Sequence, residues 1–379
     1  MLVPPLGLYI HVPFCSSICH YCNFNRGLLD GPLKSRYVRA VLSEIARAGR
    51  AAAGPGADTI YFGGGTPSLL EPDEIGAVVA ACRRSFPFAA DAEVTLEVNP
   101  ETVTPERAAA WRAAGVNRLS LGVQSFRDEE LARLGRVHDS ARARCAIGDV
   151  RAAGFGNISL DLMMWLPGQS VGDWDRSVEG VIDAGPEHAS LYILELYPNA
   201  PLREEMARAG WSQAPDEDAA DMYERAMKRL DAAGYRQYEI SNVARPGRES
   251  RHNLKYWSDG EWLGFGPGAH STWRGARWKN VAGTEDYVSR IDAGASVETE
   301  RRTLTALERC QEALITGLRL ADGVSADEVR VRYGLDLWAR YGEHLQPYLD
   351  AGLLSTADGR LRLTRRGMLL ANEVLAVFI

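Results

Sequence analysis

Three cysteines close to the start of the sequence offer the most specific chemistry in the chain. Cys15, Cys19 and Cys22 have the spacing C-x3-C-x2-C. Thiolates are soft ligands that select zinc, copper(I) or iron–sulfur clusters. A structural zinc site uses four protein ligands, and a four-iron cluster usually takes four cysteines. Three thiols, with His20 as a candidate fourth ligand, therefore indicate either a zinc loop or a cluster that leaves one iron open.

The residues before the first thiol predict how the chain presents these ligands. The apolar run from Leu8 to Val12 is typical of a buried strand. Pro13 interrupts regular structure directly after it. We therefore expect the cysteines on a loop at the carboxyl end of a strand.

Strand-like and helix-like runs alternate up to about residue 200 and predict a parallel sheet. Six such units are fewer than the eight that close a TIM barrel, although right-handed connections would still let the sheet curl. We therefore predict an α/β fold with a partial (β/α)6 barrel. The predicted strands are 8–12, 59–62, 93–98, 118–122, 157–162 and 188–194, and the predicted helices are 34–53, 72–85, 105–113, 128–134, 140–153 and 171–184.

Glycines and charged residues follow several of these strands, at the edge where α/β folds bind ligands. Gly63, Gly64 and Gly65 would allow close backbone approach to a ligand, although a plain tight turn explains them equally well. Glu97 would need a partner if buried, and a ribose or an ammonium group would serve. Three further candidates for ligand contacts are Gln124, Arg136 and Asp161. The alternative for each of them is a solvated position on the surface.

The composition limits the classes of protein to which this chain can belong. The chain has 379 residues, 46% of them hydrophobic, as in ordinary globular proteins. We find no signal-peptide pattern and no apolar run of about eighteen residues, so we expect no membrane span. Six cysteines are too few for a disulfide scaffold and fit a reducing, cytoplasmic location. The net charge of −7 argues against nucleic acid as a partner. The other three cysteines, Cys82, Cys145 and Cys310, are predicted to be buried.

Taken together, these motifs resemble the radical S-adenosylmethionine (SAM) superfamily, and within it the HemN/HemW branch. The resemblance runs nearly from end to end and also implies the partial barrel. It implies that Cys15, Cys19 and Cys22 hold a [4Fe-4S] cluster whose fourth iron is chelated by SAM. The matching segments are Tyr9-x-His-x-Pro-Phe-Cys, Gly-Gly-Gly-Thr-Pro, Glu97-x-Asn-Pro, Gly122-Val-Gln-Ser-Phe, Leu134-Gly-Arg-x-His138 and Leu160-Asp-Leu.

Residue by residue, the resemblance implies two groups of SAM contacts. The positions that would touch the cluster-bound SAM are Tyr9, Tyr21, Gly64 and Glu97. The same branch contains the oxygen-independent coproporphyrinogen III dehydrogenases, which have a second SAM site. The positions that would match that second site are Gly65, Thr66, Gln124, Arg136 and Asp161. The sequence leaves open whether a second SAM binds.

Two departures separate this chain from the dehydrogenase and place it on the HemW side of the branch. The dehydrogenase pattern has a fourth cysteine at the position of Phe24, and it carries a longer extension before the first cysteine. The segment His252-Asn253-x-x-Tyr256-Trp257 resembles the haem-associated motif of the HemW family. The resemblance implies that His252 ligates haem iron, since imidazole is the commonest protein ligand for it.

The physical chemistry around this motif agrees with haem but also admits a plainer interpretation. Tyr256 and Trp257 offer flat faces to a porphyrin. The alternative is a hydrogen-bonded histidine in a polar loop, and His270 is a weaker candidate ligand. Four cationic side chains that we expect to pair with the haem propionates are Arg245, Arg248, Arg251 and Lys255.

The segment after residue 300 changes character. Helices are predicted at 305–319, 325–332, 336–350 and 365–378, with a hairpin that turns at Asp358-Gly359. This resembles a winged helix, for which we favour a docking or lid role because the segment is not strongly basic. The predicted units are a radical SAM barrel at 1–235, a connecting segment with the haem-associated motif at 236–300, and a C-terminal unit at 301–379.

The function that the resemblance implies is that of a haem chaperone, a radical SAM protein that binds haem and transfers it to an acceptor protein. Expected cofactors are the [4Fe-4S] cluster, SAM and haem, with flavodoxin or ferredoxin as electron donor. SAM cleavage is left open and coproporphyrinogen dehydrogenase activity is not expected. Peripheral membrane contact is allowed. The alternatives are an oxygen-independent coproporphyrinogen III oxidase, a class C radical SAM methyltransferase and a non-enzymatic zinc scaffold.

Overall fold

Parallel strands dominate the computed structural model, which describes residues 5–51, 56–198 and 200–379. Within these residues the largest sheet has twelve strands in the order β14-β13-β12-β11-β1-β4-β5-β6-β7-β8-β10-β9. Numbered along the chain, the strands are β1 (Leu6–Val12), β2 (Phe14–Cys15), β3 (Gly27–Leu28), β4 (Ala57–Gly64), β5 (Phe88–Val98), β6 (Arg118–Gln124), β7 (Ile158–Met164), β8 (His188–Ile193), β9 (Arg236–Glu239), β10 (Asn242–Ala244), β11 (Trp262–Phe265), β12 (His270–Trp273), β13 (Ala276–Asn280), β14 (Glu298–Thr303), β15 (Val324–Ser325), β16 (Leu354–Ala357) and β17 (Arg360–Leu363).

Helices connect the parallel strands and continue into the C-terminal part. They are α1 (Gly31–Ala51), α2 (Pro72–Ser85), α3 (Pro105–Ala113), α4 (Asp128–Arg133), α5 (Ser140–Ala152), α6 (Val171–Ala184), α7 (Pro201–Ala209), α8 (Asp216–Ala232), α9 (Arg251–Trp257), α10 (Thr284–Asp292), α11 (Ala306–Gly317), α12 (Ala326–Tyr333), α13 (Leu337–Asp350), α14 (Arg365–Leu369) and α15 (Ala371–Leu375). Short 3-10 turns occupy Pro67–Leu69, Pro100–Thr102 and Ala376–Phe378.

The predicted partial barrel is confirmed. The six predicted strands are β1, β4, β5, β6, β7 and β8, and each pairs in parallel with the next. The predicted bounds of α2, α3 and α6 agree with the structure to the residue. The predicted end of the first helix, at residues 52–53, lies outside the described residues.

A further parallel strand, β11, extends the barrel beyond the prediction. Gly7 to Ile10 of β1 pair with Trp262 to Phe265 of β11, so β1 lies inside the sheet and not at its edge. The strand was missed because its four residues lie far along the chain and contain a glycine. Antiparallel strands β12, β13 and β14 continue the sheet on this side, so the sheet runs through the predicted connecting segment.

The barrel keeps apolar residues outside, against the helices, and polar residues inside. Leu8, Ile60 and Leu119 are fully buried on the outer face of their strands. Trp111 of α3 and Trp174 of α6 pack within the same apolar core. Polar side chains alternate with these positions, because successive strand residues point to opposite faces of a sheet. The interior therefore offers hydroxyl, carboxyl and imidazole groups to whatever occupies it.

The C-terminal part has the predicted winged-helix-like form, with one difference in its last helix. β15, β17 and β16 form a small antiparallel sheet, and Asp358 and Gly359 both have positive φ, as the predicted two-residue hairpin requires. The predicted single helix 365–378 is divided at Leu370 into α14, α15 and a 3-10 turn. Gly367 of α14 lies so close to the Leu353 carbonyl that an added Cβ would be 1.9 Å from its oxygen, so this turn is held against β16.

One cysteine prediction is wrong. Cys82 and Cys310 are buried as expected, but Cys145 is exposed. In α5 the buried stripe contains Ala143, Ala146 and Ile147, and Cys145 falls on the opposite face.

Of the helices within the described ranges, none has the length and apolar character needed to cross a bilayer.

Candidate functional site

A cavity of about 360 Å³ opens at the carboxyl ends of the parallel strands. It brings together almost all the predicted cluster and SAM residues, although they come from five strands and the loops after them. The predicted residues that line it are Cys15, Cys19, Tyr21, Cys22, Gly64, Gly65, Thr66, Glu97, Gln124, Arg136 and Asp161. Tyr9 lies directly beneath, with its ring stacked on that of Tyr61 at a centroid distance of 6.1 Å.

Backbone hydrogen bonds fix the cysteine loop against the glycine-rich loop. The Gly65 N–H donates to the Val12 carbonyl and the Thr66 N–H to the Phe14 carbonyl, both at 2.7 Å. Within the loop, the Cys22 N–H donates to the Cys19 carbonyl at 3.2 Å. The start of the segment that carries the three thiols is therefore held against the barrel.

The glycines after β4 are required by this packing. Gly64 has a φ of +118°, and a Cβ there would lie 2.7 Å from Cε1 of His11. A Cβ on Gly65 would lie 3.1 Å from the Sγ of Cys15. A side chain at Gly65 would press on the cysteine loop and one at Gly64 would press on His11 of β1, so these glycines do more than turn the chain.

The three thiols of the cysteine loop all line the cavity. Burial raises the pKa of the Cys15 thiol, and the neighbouring Cys22 and Cys19 add to this rise. Within the described residues, no three His, Cys, Asp or Glu side chains converge closely enough to hold a single metal ion. A four-iron cluster does not need such convergence, because each thiolate binds a different iron. Three thiols that line one cavity are a soft donor set that fits an iron–sulfur cluster.

Glu97 lies at the centre of the cavity wall. Its Oε1 accepts a hydrogen bond from the Tyr61 hydroxyl at 2.8 Å, and its Oε2 accepts one from the Gly64 N–H at 3.2 Å. Burial raises the pKa of Glu97 to about 7, and the negative charge of Asp161 contributes to the rise. The carboxylate therefore gains from a cationic ligand, as was expected from the sequence.

Arg136 links the cysteine loop to two other strand ends. Its Nη1 lies 3.4 Å from the Sγ of Cys19, and its Nη2 donates to Asn99 at 2.8 Å and to the Gly122 carbonyl at 2.9 Å. Burial alone would lower the pKa of Arg136, but the nearby Tyr21 and Cys19 outweigh it and leave the pKa raised. A fixed positive charge therefore lies beside the thiol of Cys19.

Asn99 and Ser120 line the cavity but were not assigned a role from the sequence. Asn99 accepts from Arg136 and its amide nitrogen lies 3.3 Å from the Thr66 hydroxyl. The Ser120 hydroxyl donates to Asp161 at 3.1 Å, and burial raises the pKa of Asp161. The signal for both was their position: Asn99 directly follows β5, and Ser120 lies on the inward face of β6.

The haem-associated segment lies at the other end of the barrel, away from the cavity. Its residues form helix α9, where His252 is 0% exposed. His252 Nδ1 lies 2.8 Å from the Thr59 hydroxyl, and Nε2 lies 2.9 Å from the Tyr256 hydroxyl. Burial lowers the pKa of His252 to about 3, with the charges of Lys255 and Arg118 adding to the effect. The imidazole is therefore neutral, and each ring nitrogen already has a partner in this conformation.

The rings of Tyr256 and Trp257 and the backbone N–H of Asn253 also have partners within the protein. Tyr256 packs edge-on against Trp262 at 4.7 Å, and the Arg319 guanidinium covers the Trp257 ring at 4.5 Å. Asn253 lies in the same helix, and its N–H is capped by the Ser250 hydroxyl.

Two of the cations expected to meet propionates already have carboxylate partners. Arg251 pairs with Asp58 and Asp91, and Lys255 pairs with Asp58 at 2.7 Å. The structure thus corrects the expectation that Arg251 and Lys255 are available to a ligand. The second candidate, His270, is exposed on β12.

Comparison with known proteins agrees with this geometry. The Radical SAM superfamily model matches residues 9–180, and the HemN C-terminal domain model matches residues 304–370. The chain is similar in fold to coproporphyrinogen III oxidase (HemN) from Escherichia coli, with a TM-score of 0.87 at 24% identity over 99% of this chain and 90% of that one.

Similarity in sequence extends over the whole chain. The heme chaperone HemW of Bacillus subtilis is 36% identical, covering 98% of each chain. That of Mycobacterium tuberculosis is 40% identical over 99% of this chain and 95% of its own. That of Escherichia coli is 35% identical over 100% and 99%. The chain therefore belongs to the HemW heme chaperone family of the radical SAM superfamily, whose members are implied to use a [4Fe-4S] cluster and SAM.

Proposed function

We propose that this protein is a haem chaperone, which holds a [4Fe-4S] cluster and SAM at the mouth of its barrel, binds haem and delivers it to an acceptor protein. The observation that carries the proposal is the cysteine loop itself. It supplies three thiols to one cavity, while the position of the dehydrogenase's fourth cysteine is occupied by Phe24, which is 64% exposed. The full-length similarity to HemW proteins supports the haem function.

The residues present fit the cluster and SAM. Cys15, Cys19 and Cys22 would ligate three irons, and the cavity beside them leaves room for a ligand on the fourth. Glu97 would accept a hydrogen bond from the SAM amino group, and the glycine-rich loop would approach its methionine end. When bound and reduced, the cluster supplies an electron that can split SAM. The further SAM contacts that we propose are Tyr9, Tyr21, Gly64, Gly65, Thr66, Gln124, Arg136 and Asp161.

Haem binding at His252 requires a conformation of helix α9 that differs from the one described here. Coordination by His252 would require its Nε2 to leave the Tyr256 hydroxyl and α9 to move from the barrel floor. The proposed haem residues His252, Asn253, Tyr256 and Trp257 therefore describe a second conformation of this helix. The exposed His270 is the alternative ligand.

The remaining roles follow from the architecture. We propose that the C-terminal unit, 301–379, docks the haem acceptor, while a flavodoxin or ferredoxin reduces the cluster through the open side of the cysteine loop. The predicted boundaries at residues 235 and 300 remain a proposal, because the barrel sheet continues up to Thr303.

A titration of the anaerobically reconstituted protein tests the function. We expect about four irons and four sulfides per chain, a Soret band on adding hemin, and transfer of that haem to apomyoglobin as a probe acceptor. The His252→Ala variant locates the ligand: loss of the Soret feature supports coordination by His252, and an unchanged spectrum directs the assignment to His270.

The competing activities give different results in the same preparation. Conversion of coproporphyrinogen III to vinyl products under reducing, anaerobic conditions would instead support the oxidase. Methyl transfer from SAM would support the methyltransferase. A protein that binds no hemin at all would contradict the chaperone proposal.

A further inference from the structure

Helix α9 contacts the floor of the SAM site through a stack of rings. The His252 ring lies 5.1 Å from the Tyr61 ring, with 28° between their planes, and 6.3 Å from the Tyr9 ring, with 29° between planes. Tyr9 and Tyr61 stack on each other at 6.1 Å and 23°. Three nearly parallel rings therefore fill the barrel between α9 and the cavity.

The upper members of this stack are part of the proposed SAM site. The Tyr61 hydroxyl donates to Glu97 at 2.8 Å, and Tyr9 is itself a proposed SAM contact. Glu97 in turn accepts from Gly64 in the glycine-rich loop. A displacement of the Tyr61 ring would therefore be passed directly to the carboxylate that is proposed to accept a hydrogen bond from the SAM amino group.

Several contacts fix the lower end of the stack to the barrel. The Thr59 hydroxyl, on the same strand as Tyr61, bonds the His252 ring at 2.8 Å. Glu93 of β5 accepts from the backbone N–H groups of Arg251 and His252 at the start of α9. Asp58 pairs with both cationic side chains of the helix.

Gly7 allows the helix to come this close. A Cβ at that position would lie 2.9 Å from Cδ of Lys255 and 3.1 Å from Cε1 of His252. The absence of a side chain on β1 therefore makes room for the imidazole beneath the tyrosines.

We propose that His252 is a positioning residue for the SAM site: its ring supports Tyr61 and Tyr9 from below and thereby fixes Glu97 where SAM binds. The inference rests on the proposed SAM site but not on haem binding. It gives the helix that carries the haem-associated motif a role in the conformation described here. In that conformation both ring nitrogens of His252 already have hydrogen-bond partners.

The experiment measures SAM binding to the full-length, anaerobically reconstituted protein by equilibrium dialysis. The change that SAM causes in the EPR spectrum of the reduced cluster gives a second readout. Removing the ring in His252→Ala is expected to weaken SAM binding about tenfold, while iron and sulfide contents stay unchanged. His252→Phe keeps an aromatic ring that cannot ligate iron, and is expected to restore SAM affinity to within about threefold of the wild type.

A glycine variant tests the same helix from the other side. Gly7→Ala is expected to press on α9 and weaken SAM binding about fivefold, since overpacking displaces neighbouring groups. The matched control is Gly148→Ala in α5, where an added Cβ meets nothing within 4 Å and SAM affinity should not change.

The outcomes separate this inference from the proposed function. If the wild type forms the cluster but binds no SAM, the proposed SAM site has failed. If the wild type binds SAM and both His252→Ala and Gly7→Ala bind it equally well, the positioning role is overturned. It is also overturned if His252→Phe loses SAM binding as fully as His252→Ala, because the ring would then not be what supports Tyr61.

Discussion

The guanidinium of Arg136 lies 3.4 Å from the sulfur of Cys19, and its other nitrogen is held by Asn99 and the Gly122 carbonyl. This places a fixed positive charge beside one of the three proposed cluster thiolates. Charge and hydrogen bonds to the sulfurs are among the properties that set the reduction potential of an iron–sulfur cluster.

Replacing Arg136 with Gln should therefore lower the reduction potential of the cluster, because a positive charge that favours the added electron is lost. Spectroelectrochemical titration of the reconstituted protein measures the shift. Arg133→Gln is the matched control, since Arg133 contacts the Pro167 carbonyl and Trp211 and does not line the cavity. Equal potentials in wild type and Arg136→Gln would contradict the role given to this charge.

The three clustered cysteines should behave differently from the exposed one. Alanine at Cys15, Cys19 or Cys22 is expected to abolish the charge-transfer absorbance near about 400 nm, since each thiolate holds one iron. Cys145→Ser should retain it, because Cys145 lies on the outer face of α5. Iron and sulfide analysis after anaerobic reconstitution provides the measurement, and loss of iron in the control would disprove the ligand assignment.

SAM binding should depend on pH through Glu97. Its pKa is raised to about 7 by burial, so the carboxyl group becomes charged, and a stronger hydrogen-bond acceptor for the SAM amino group, as the pH rises through that value. SAM affinity is therefore expected to increase from pH 6 to pH 8. Glu97→Gln should bind SAM more weakly and without this pH dependence.

Asp161→Asn distinguishes the two carboxylates of the cavity. Burial also raises the pKa of Asp161, but its partners in the structure include serine hydroxyls, and no hydrogen bond joins it to the Gly64 backbone. The variant should keep a pH-dependent SAM affinity, but with the profile shifted to lower pH, because the charge of Asp161 contributes to the raised pKa of Glu97. A flat profile in Asp161→Asn and a wild-type profile in Glu97→Gln would reverse the assignment.

Phe24→Cys restores the fourth cysteine of the dehydrogenase pattern on an exposed part of the loop. We expect the variant to keep its cluster but to form no vinyl product from coproporphyrinogen III, because specificity depends on the whole substrate site and not on one thiol. Product analysis of an anaerobic reaction containing reductant and SAM checks this. Appearance of the oxidase activity in the variant alone would show that this thiol decides the function.

The pH dependence of stability should reveal the buried carboxyl of Glu44. It accepts from the Tyr287 hydroxyl at 2.6 Å, Asn280 at 2.7 Å and the Gly266 N–H at 2.9 Å, yet burial raises its pKa to about 7. The folded state therefore holds this proton more tightly than the unfolded state. Between the usual carboxyl pKa and about pH 7, stability falls as the pH rises.

Glu44→Gln removes this titration. The free energy of unfolding of the wild type relative to the variant should decrease from pH 5 to pH 7, by at most roughly 1.4 kcal/mol per pH unit. Urea unfolding of both proteins at the two pH values measures the difference, in which the other titrating groups cancel. A constant difference would contradict the raised pKa.

Local patterns in the sequence were sufficient for the barrel and the cavity. Most of the predicted ligands lie near the carboxyl end of a strand or in the connection after it. Because parallel strands bring these ends to one edge, Cys19 and Arg136 could be expected together without a three-dimensional structure. The cluster and SAM roles came from the family resemblance, and the structure adds the contacts that connect them.

What the sequence could not show depends on contacts between distant segments. The burial of His252 requires β11 to pair with β1 and Gly7 to admit the helix, and neither is visible in a local pattern. The carboxylate partners of Arg251 and Lys255 precede them by more than 150 positions. Two of the four cations that resemble a propionate site in the sequence, Arg251 and Lys255, therefore share the carboxylate of Asp58 in the fold.

The pairing of Leu8 with Leu263 also determines the order in which the barrel can be completed during synthesis. The cysteine loop and β1 are translated first, but one edge of β1 has no partner until some 250 further residues have been made. An unpaired strand edge invites pairing with other chains, and long-range strand pairing is slow to form. Substitutions that weaken β11 should therefore reduce the yield of soluble nascent protein, even though none of its residues touches the thiols.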